Sequence, residues 1–180
     1  AYVYGWTKLQ AEQYVRYFAA KRNYPACIVR LFNVIGPGET NPHVMPEIIA
    51  QLKAGKTKLC LGNLDAKRDY VHIDDVVQGF VAVATRGSIS AGEAATVNLG
   101  TQHCYSVRQL LEYLQKSSGI ELEIQQDPTR MRPSDRPFLS ANVSRIKQQF
   151  AWEPSIGIAD AINTTWINPD IPIEWIDRYR

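Results

Sequence analysis

Tyr4-Gly5-Trp6-Thr7-Lys8 sets a phenol and an ammonium four residues apart, a spacing that brings both onto one face of a helix start. An ammonium beside a phenol favours the phenolate. A tyrosine so placed can exchange a proton with an alcohol while a hydride leaves the carbinol carbon. The spacing alone is weak, because chance supplies about 0.4 such pairs in a chain of this composition, and a second copy stands at Tyr17 and Lys21. Position separates the two copies. In an open parallel sheet, ligands gather at the carboxyl ends of the strands. A helix that follows a strand starts at that edge, which places Tyr4 there. Tyr17 lies about 20 Å further along the helix, so Tyr17 and Lys21 are expected to be an exposed helix pair. The next strand runs back and delivers Asn33 to the edge of Tyr4.

The elements needed for that placement can be read from the residue pattern. Residues 7–21 carry an apolar stripe of Leu9, Val15, Phe18 and Ala19 at helical spacing, and Asn23-Tyr24-Pro25 ends the helix. The apolar run 26–32 lacks alternation, as expected of a strand covered on both faces in a parallel sheet. A helix followed by such a strand is half of a βαβ unit, and 33–38 reads as the loop leaving it. Further on, helices are expected at 44–54, 74–85 with Asp74 as N-cap, 106–116 with Ser106 as cap, 144–150 and 158–166. Strands are expected at 57–61, 68–73, 95–99 and 121–124. A turn is expected at 62–66, and a proline- and arginine-rich loop at 127–137.

Composition narrows the classes. The 180 residues are 45% hydrophobic and 21% charged, with a net charge of +2. A packed core is expected and wholesale disorder is excluded. The charge is too small to make nucleic acid a default partner, and no apolar run approaches the roughly 18 residues of a membrane span. Three scattered cysteines, Cys27, Cys60 and Cys104, have no CxxC spacing. They imply a reduced, cytoplasmic chain with no metal site. The chain opens without Met or a glycine-rich turn, and the expectation is the C-terminal part of a longer protein.

Four ordered motifs carry a resemblance. Tyr4-x-x-x-Lys8 is followed by Arg30-Leu31-Phe32-Asn33-Val34-Ile35-Gly36-Pro37, then by Leu61-Gly62-Asn63-Leu64-Asp65-Ala66-Lys67-Arg68-Asp69-Tyr70, then by Met131-Arg132-Pro133-Ser134-Asp135. Together they resemble the extended short-chain dehydrogenases, and more narrowly the NAD(P)-dependent nucleotide-sugar epimerases and dehydratases. They are most similar to the GDP-mannose 4,6-dehydratase and GDP-4-keto-6-deoxymannose reductase branch. The resemblance implies an α/β fold: the C-terminal part of a Rossmann-type parallel sheet plus a smaller mixed α/β substrate-binding domain. Residues 1–40 would supply the last helix and strand of the sheet. Residues 41–180 would be mainly the substrate-binding subdomain, with returns to the sheet near 94–100.

The same resemblance implies roles. Tyr4 would transfer the proton, and Lys8 would hold the ribose of NAD or NADP. Phe32 and Val34 would lie along the nicotinamide, and Asn33 would contact the substrate. Arg68 and Arg132 would bind the diphosphate of a nucleotide sugar, where a guanidinium fork suits phosphate oxygens. Asp135 would accept from the nucleotide ribose, His43 would face the phosphates, and Leu59 and Leu61 would line the base. The intact enzyme would be a homodimer that moves a hydride at sugar C4, followed by dehydration or epimerisation, or run in reverse as a reductase. Ile35 departs from the pattern, standing where many relatives carry Tyr. His72, Asp74 and Asp75 are read as a strand end and helix cap, and Trp152, Trp166 and Trp175 as packing residues. The rival reading is a non-catalytic nucleotide-binding or assembly module that keeps the fold.

Overall fold

A computed structural model describes residues 3–131 and 136–180. The chain begins with α1 (Val3–Arg22), which runs antiparallel to the strand after it, β1 (Ala26–Leu31). Asn23, at φ 53°, turns the chain between them. β1 pairs in parallel with β5 (Ala94–Leu99), with Ala26 opposite Ala94 and Leu31 opposite Leu99. This pairing bridges more than sixty residues, and the expected cover on both faces is corrected: no residue of β1 is fully buried, and Leu31 is 43% exposed.

At Phe32 the chain changes partner. The Phe32 N–H still donates to the Leu99 carbonyl at 3.0 Å. The next three residues form β2 (Asn33–Ile35), which pairs in parallel with β4 (Lys67–His72). The expected loop at 33–38 is thus corrected: its first half is a strand. β4 is shared further. Its first residues pair antiparallel with β6 (Cys104–Ser106) and in parallel with β8 (Phe138–Leu139). A separate parallel pair joins β3 (Lys58–Leu61) to β7 (Glu123–Gln126).

Alternation along β2 and β4 divides the core in two. Ile35 and Tyr70 face a cluster built from α2 (Val44–Lys53), α4 (Val107–Ser118), α6 (Ile158–Ile167) and β3. Val34 and Val71 face a second cluster with α3 (Ile73–Thr85), α5 (Ser144–Phe150), β1 and β5. Successive residues of a strand point to opposite faces, so two neighbouring valine-type positions serve different cores.

Helix ends follow local chemistry. Ser106 caps α4 as expected, in a reciprocal box with Gln109. The cap of α3 is His72, not Asp74: the imidazole Nδ1 accepts from the Asp74 N–H at 3.2 Å. Its Nε2 lies 3.1 Å from Thr164 Oγ1, which ties the ring to α6. Buried Asp75 accepts from the Ser155 N–H, the Ser155 hydroxyl and the Ile156 N–H, so it holds a loop. Trp152 is buried in the second cluster, and Trp166 packs on the first beneath the Lys53 ammonium, 3.8 Å from its ring centroid. A short C-terminal α7 (Ile173–Asp177) completes the chain.

Candidate active site

Two arginines, one of them ion-paired, set the register between α1 and the sheet. Arg30 donates through Nε and Nη2 to the two carboxylate oxygens of Glu12, both at 2.7 Å. This bond, more than the Coulomb attraction, holds the Glu12 carboxyl below its ordinary pKa and pushes Arg30 up. Arg16 donates to the Ala94 carbonyl at 3.0 Å and to the Thr96 hydroxyl. Glu12 is therefore level with Arg30. From there Tyr4 lies eight residues back along the helix, about 12 Å at the helical rise. Val34 lies four residues on along the strand, about 13 Å. The two distances match, which directs both toward the carboxyl edge.

At that edge the change of partner from β5 to β4 opens a cleft of about 740 Å³, walled by Phe32, Asn33, Val34 and Ile35, by the turn from Gly36 to Glu39, and by Asn41, Pro42, His43, Tyr70 and Ile73. Gly36 is required there. At φ +154° a Cβ would come within 2.5 Å of Ile73 Cγ2, so the turn closes only around a residue without a side chain.

Tyr4 is 72% exposed, and the Lys8 ammonium sits 5.3 Å from its ring centroid. The Tyr17 and Lys21 pair has the same separation, 5.3 Å. Local geometry thus does not distinguish the copies. Their positions along α1 do, since Tyr17 lies about 20 Å further along the helix than Tyr4. The structure brings Phe32, Asn33, Val34 and His43 into one cleft. His43, at the N-terminal end of α2, donates from Nδ1 to the Glu39 carboxylate, which also faces the cleft.

Arg68 lies two residues before Tyr70 on β4, hence on the same strand face and about 7 Å away along it. Its Nη1 donates to the carbonyls of Lys67 at 2.8 Å and Arg136 at 2.7 Å. Leu59 needs correction. It is 0% exposed and packs in the first core, so its side chain is not offered to a base. Leu61 is partly buried against the same core. Arg132 and Asp135 lie outside the described residues.

Glu39, Asn41 and Tyr70 were not assigned roles by sequence reasoning. The Glu39–His43 spacing, four residues apart before a helix, was the one signal available for them.

The α/β fold with its parallel strands is that of the extended short-chain dehydrogenase class. Within it, this chain belongs to the family described as GDP-mannose 4,6-dehydratase, whose sequence model matches residues 2–165. A GDP-6-deoxy-D-mannose reductase of Pseudomonas aeruginosa is 29% identical over 182 residues, covering 98% of this chain and 57% of that protein. A UDP-glucose 4-epimerase of Bacillus subtilis is 29% identical over 91% of this chain and 52% of its own length. Among solved structures, Pseudomonas aeruginosa RMD complexed with NADPH superimposes with a TM-score of 0.79 at 26% identity, over 94% of this chain and 55% of that one. The Bifidobacterium longum UDP-glucose 4-epimerase in complex with NAD+ and UDP gives 0.77 at 25% identity, over 93% and 55%. The chain spans just over half the length of the relatives it matches.

Proposed function

We propose that this chain is the tyrosine–lysine and substrate-binding part of an NAD(P)-dependent enzyme that modifies a nucleotide-diphosphate sugar at C4. GDP-sugars are the favoured class, since the matching family and a reductase relative both take GDP names. The observation that carries this reading is the cleft of about 740 Å³ lined by Phe32, Asn33, Val34 and His43, toward whose edge the rise of α1 from Glu12 directs Tyr4 and Lys8.

The residues present fit the nicotinamide end of the cofactor. Phe32 and Val34 form one wall beside a turn where Gly36 leaves backbone bare. When bound, NAD(P) supplies the hydride acceptor or donor. Tyr4 takes the proton from the C4 hydroxyl, or returns it in the reductive direction, and Lys8 supplies positive charge beside the phenol. Asn33 and His43 hold the sugar and its phosphates, and Arg68 meets the diphosphate with its guanidinium. We assign residues 1–40 and the strand near 94–100 to the cofactor-binding sheet, and the remainder of 41–180 to substrate binding. Three unpaired thiols suit a cytoplasmic setting, and among the described residues no helix is long and apolar enough to cross a membrane. Pairing of α1 with a second copy would make the working enzyme a homodimer.

The test supplies the full-length protein with GDP-mannose and NAD(P), and separately with GDP-4-keto-6-deoxymannose and NADPH. A 4-keto product or NADPH oxidation is expected. Binding of GDP without any turnover of GDP- or UDP-sugars would favour the non-catalytic module instead.

A further inference from the structure

Next to Arg68 stands Asp69, which has no part in the chemistry above and is 0% exposed. Burying a carboxylate is costly unless every lone pair is used, and here they are used. Oδ1 accepts from the Thr101 N–H at 2.7 Å and the Thr101 hydroxyl at 2.8 Å. Oδ2 accepts from the Gln102 N–H at 2.8 Å and the Ala141 N–H at 3.0 Å. One side chain therefore ties β4 to the loop after β5 and to the segment after β8. The segments are pressed together: a Cβ on Gly100 would stand 2.7 Å from Ala141 Cβ and 3.1 Å from both Asp69 oxygens.

The Ala141 bond has a consequence for Arg68. Ala141 lies two residues beyond β8, and β8 pairs with Lys67 and Arg68. The chain just before β8 returns a bond, from the Lys67 N–H to the Pro137 carbonyl at 2.9 Å. It also presents the Arg136 carbonyl that receives the Arg68 guanidinium at 2.7 Å. Asp69 holds one end of this segment and Arg68 is oriented by the other. We propose that Asp69 is a positioning residue for the diphosphate site: it locks β8 against β4 so that the Arg136 carbonyl fixes the plane of the Arg68 guanidinium. This rests on the reading of Arg68 as the diphosphate ligand.

The test measures GDP affinity by calorimetric titration in the full-length protein, alongside melting temperature. Asp69→Asn keeps the shape but leaves one oxygen for four donors. Its NH2 group must face either the Thr101 pair or the Gln102 and Ala141 pair. Asp75→Asn is the matched control, since Asp75 is 3% exposed and also accepts backbone and hydroxyl hydrogens, from Ser155 and Ile156. Both variants should melt lower. Asp69→Asn alone should also bind GDP about tenfold more weakly, and in an Arg68→Ala background it should cost no more than about twofold further. Should Asp69→Asn not fold, Ser140→Ala decides. It removes the Ser140 hydroxyl bond to the Gln102 carbonyl at 3.3 Å, and a loss of about threefold is expected. GDP affinity unchanged in the folded variant, a loss matched by Asp75→Asn, or a full additional loss without Arg68 would each overturn the proposal. So would unchanged affinity in Ser140→Ala where that variant decides. Failure of the unsubstituted protein to bind GDP would overturn it together with the nucleotide-sugar reading.

Discussion

Arg68 has one task the structure shows, a hydrogen bond to the Arg136 carbonyl, and one that is proposed, binding the diphosphate. The structure joins it to the Arg136 carbonyl, so Arg68→Ala should lower the melting temperature by a few degrees. It should also weaken GDP binding by about 10- to 150-fold, the range for one or two charge-assisted bonds. Lys should restore only part of the binding, because a point charge replaces a fork. Titration with GDP and a thermal melt check both effects. Glu12 offers a prediction about pH. Its folded pKa lies below the ordinary 4.5 because Arg30 binds it. The stability it contributes is therefore present above the ordinary carboxylate range and lost as pH falls through the folded value. Glu12→Gln should be destabilised at neutral pH by about 1 kcal/mol or less, as for partly exposed pairs. The deficit should vanish in acid, and a melt at each of several pH values reads it directly. Tyr4, Lys8, Asn33 and Arg68 could be proposed from sequence because their signals lie in short local motifs. Asp69 could not, because its partners stand 32 to 72 residues away and nothing local marks a carboxylate as buried.

Among the elements, helices with caps and long strands were legible, and elements made by distant pairing were not. β2 is three residues long and exists because β4 lies beside it, so Asn33-Val34-Ile35 before Gly36-Pro37 reads locally as a turn. β6 and β8 went unseen for the same reason. The α3 cap shifted from Asp74 to His72 because a buried imidazole reached the free N–H first. Within the cleft turn, Gly36→Ala should cost about 1–3 kcal/mol through the collision with Ile73, read as a lower melting temperature. The open face of α1 carries Ala11, Tyr14 and Tyr17 at helical spacing, all exposed. A symmetric contact through this face would bury them. Sedimentation of the full-length protein at tens of micromolar, about the range in which ordinary dimers persist, should show a dimer. A monomer alone would remove α1 as the interface.

For the molecule as a whole, the 180 residues assemble one cleft at the carboxyl edge of the sheet, and Tyr4 stands open to solvent. The purified 180-residue chain should therefore show no NAD(P)H production from nucleotide sugars, which a steady-state absorbance assay checks. The central claim is that of two tyrosine–lysine pairs with equal local geometry, the one at the carboxyl edge does the chemistry. The most direct measurement is steady-state turnover of a GDP-sugar by full-length Tyr4→Phe and Tyr17→Phe proteins under saturating NAD(P). Loss of a general acid–base group predicts that Tyr4→Phe falls by about 10²- to 10⁴-fold in kcat, with Tyr17→Phe within about twofold of the parent. Full activity in Tyr4→Phe, or an equal loss in both variants, would contradict the account.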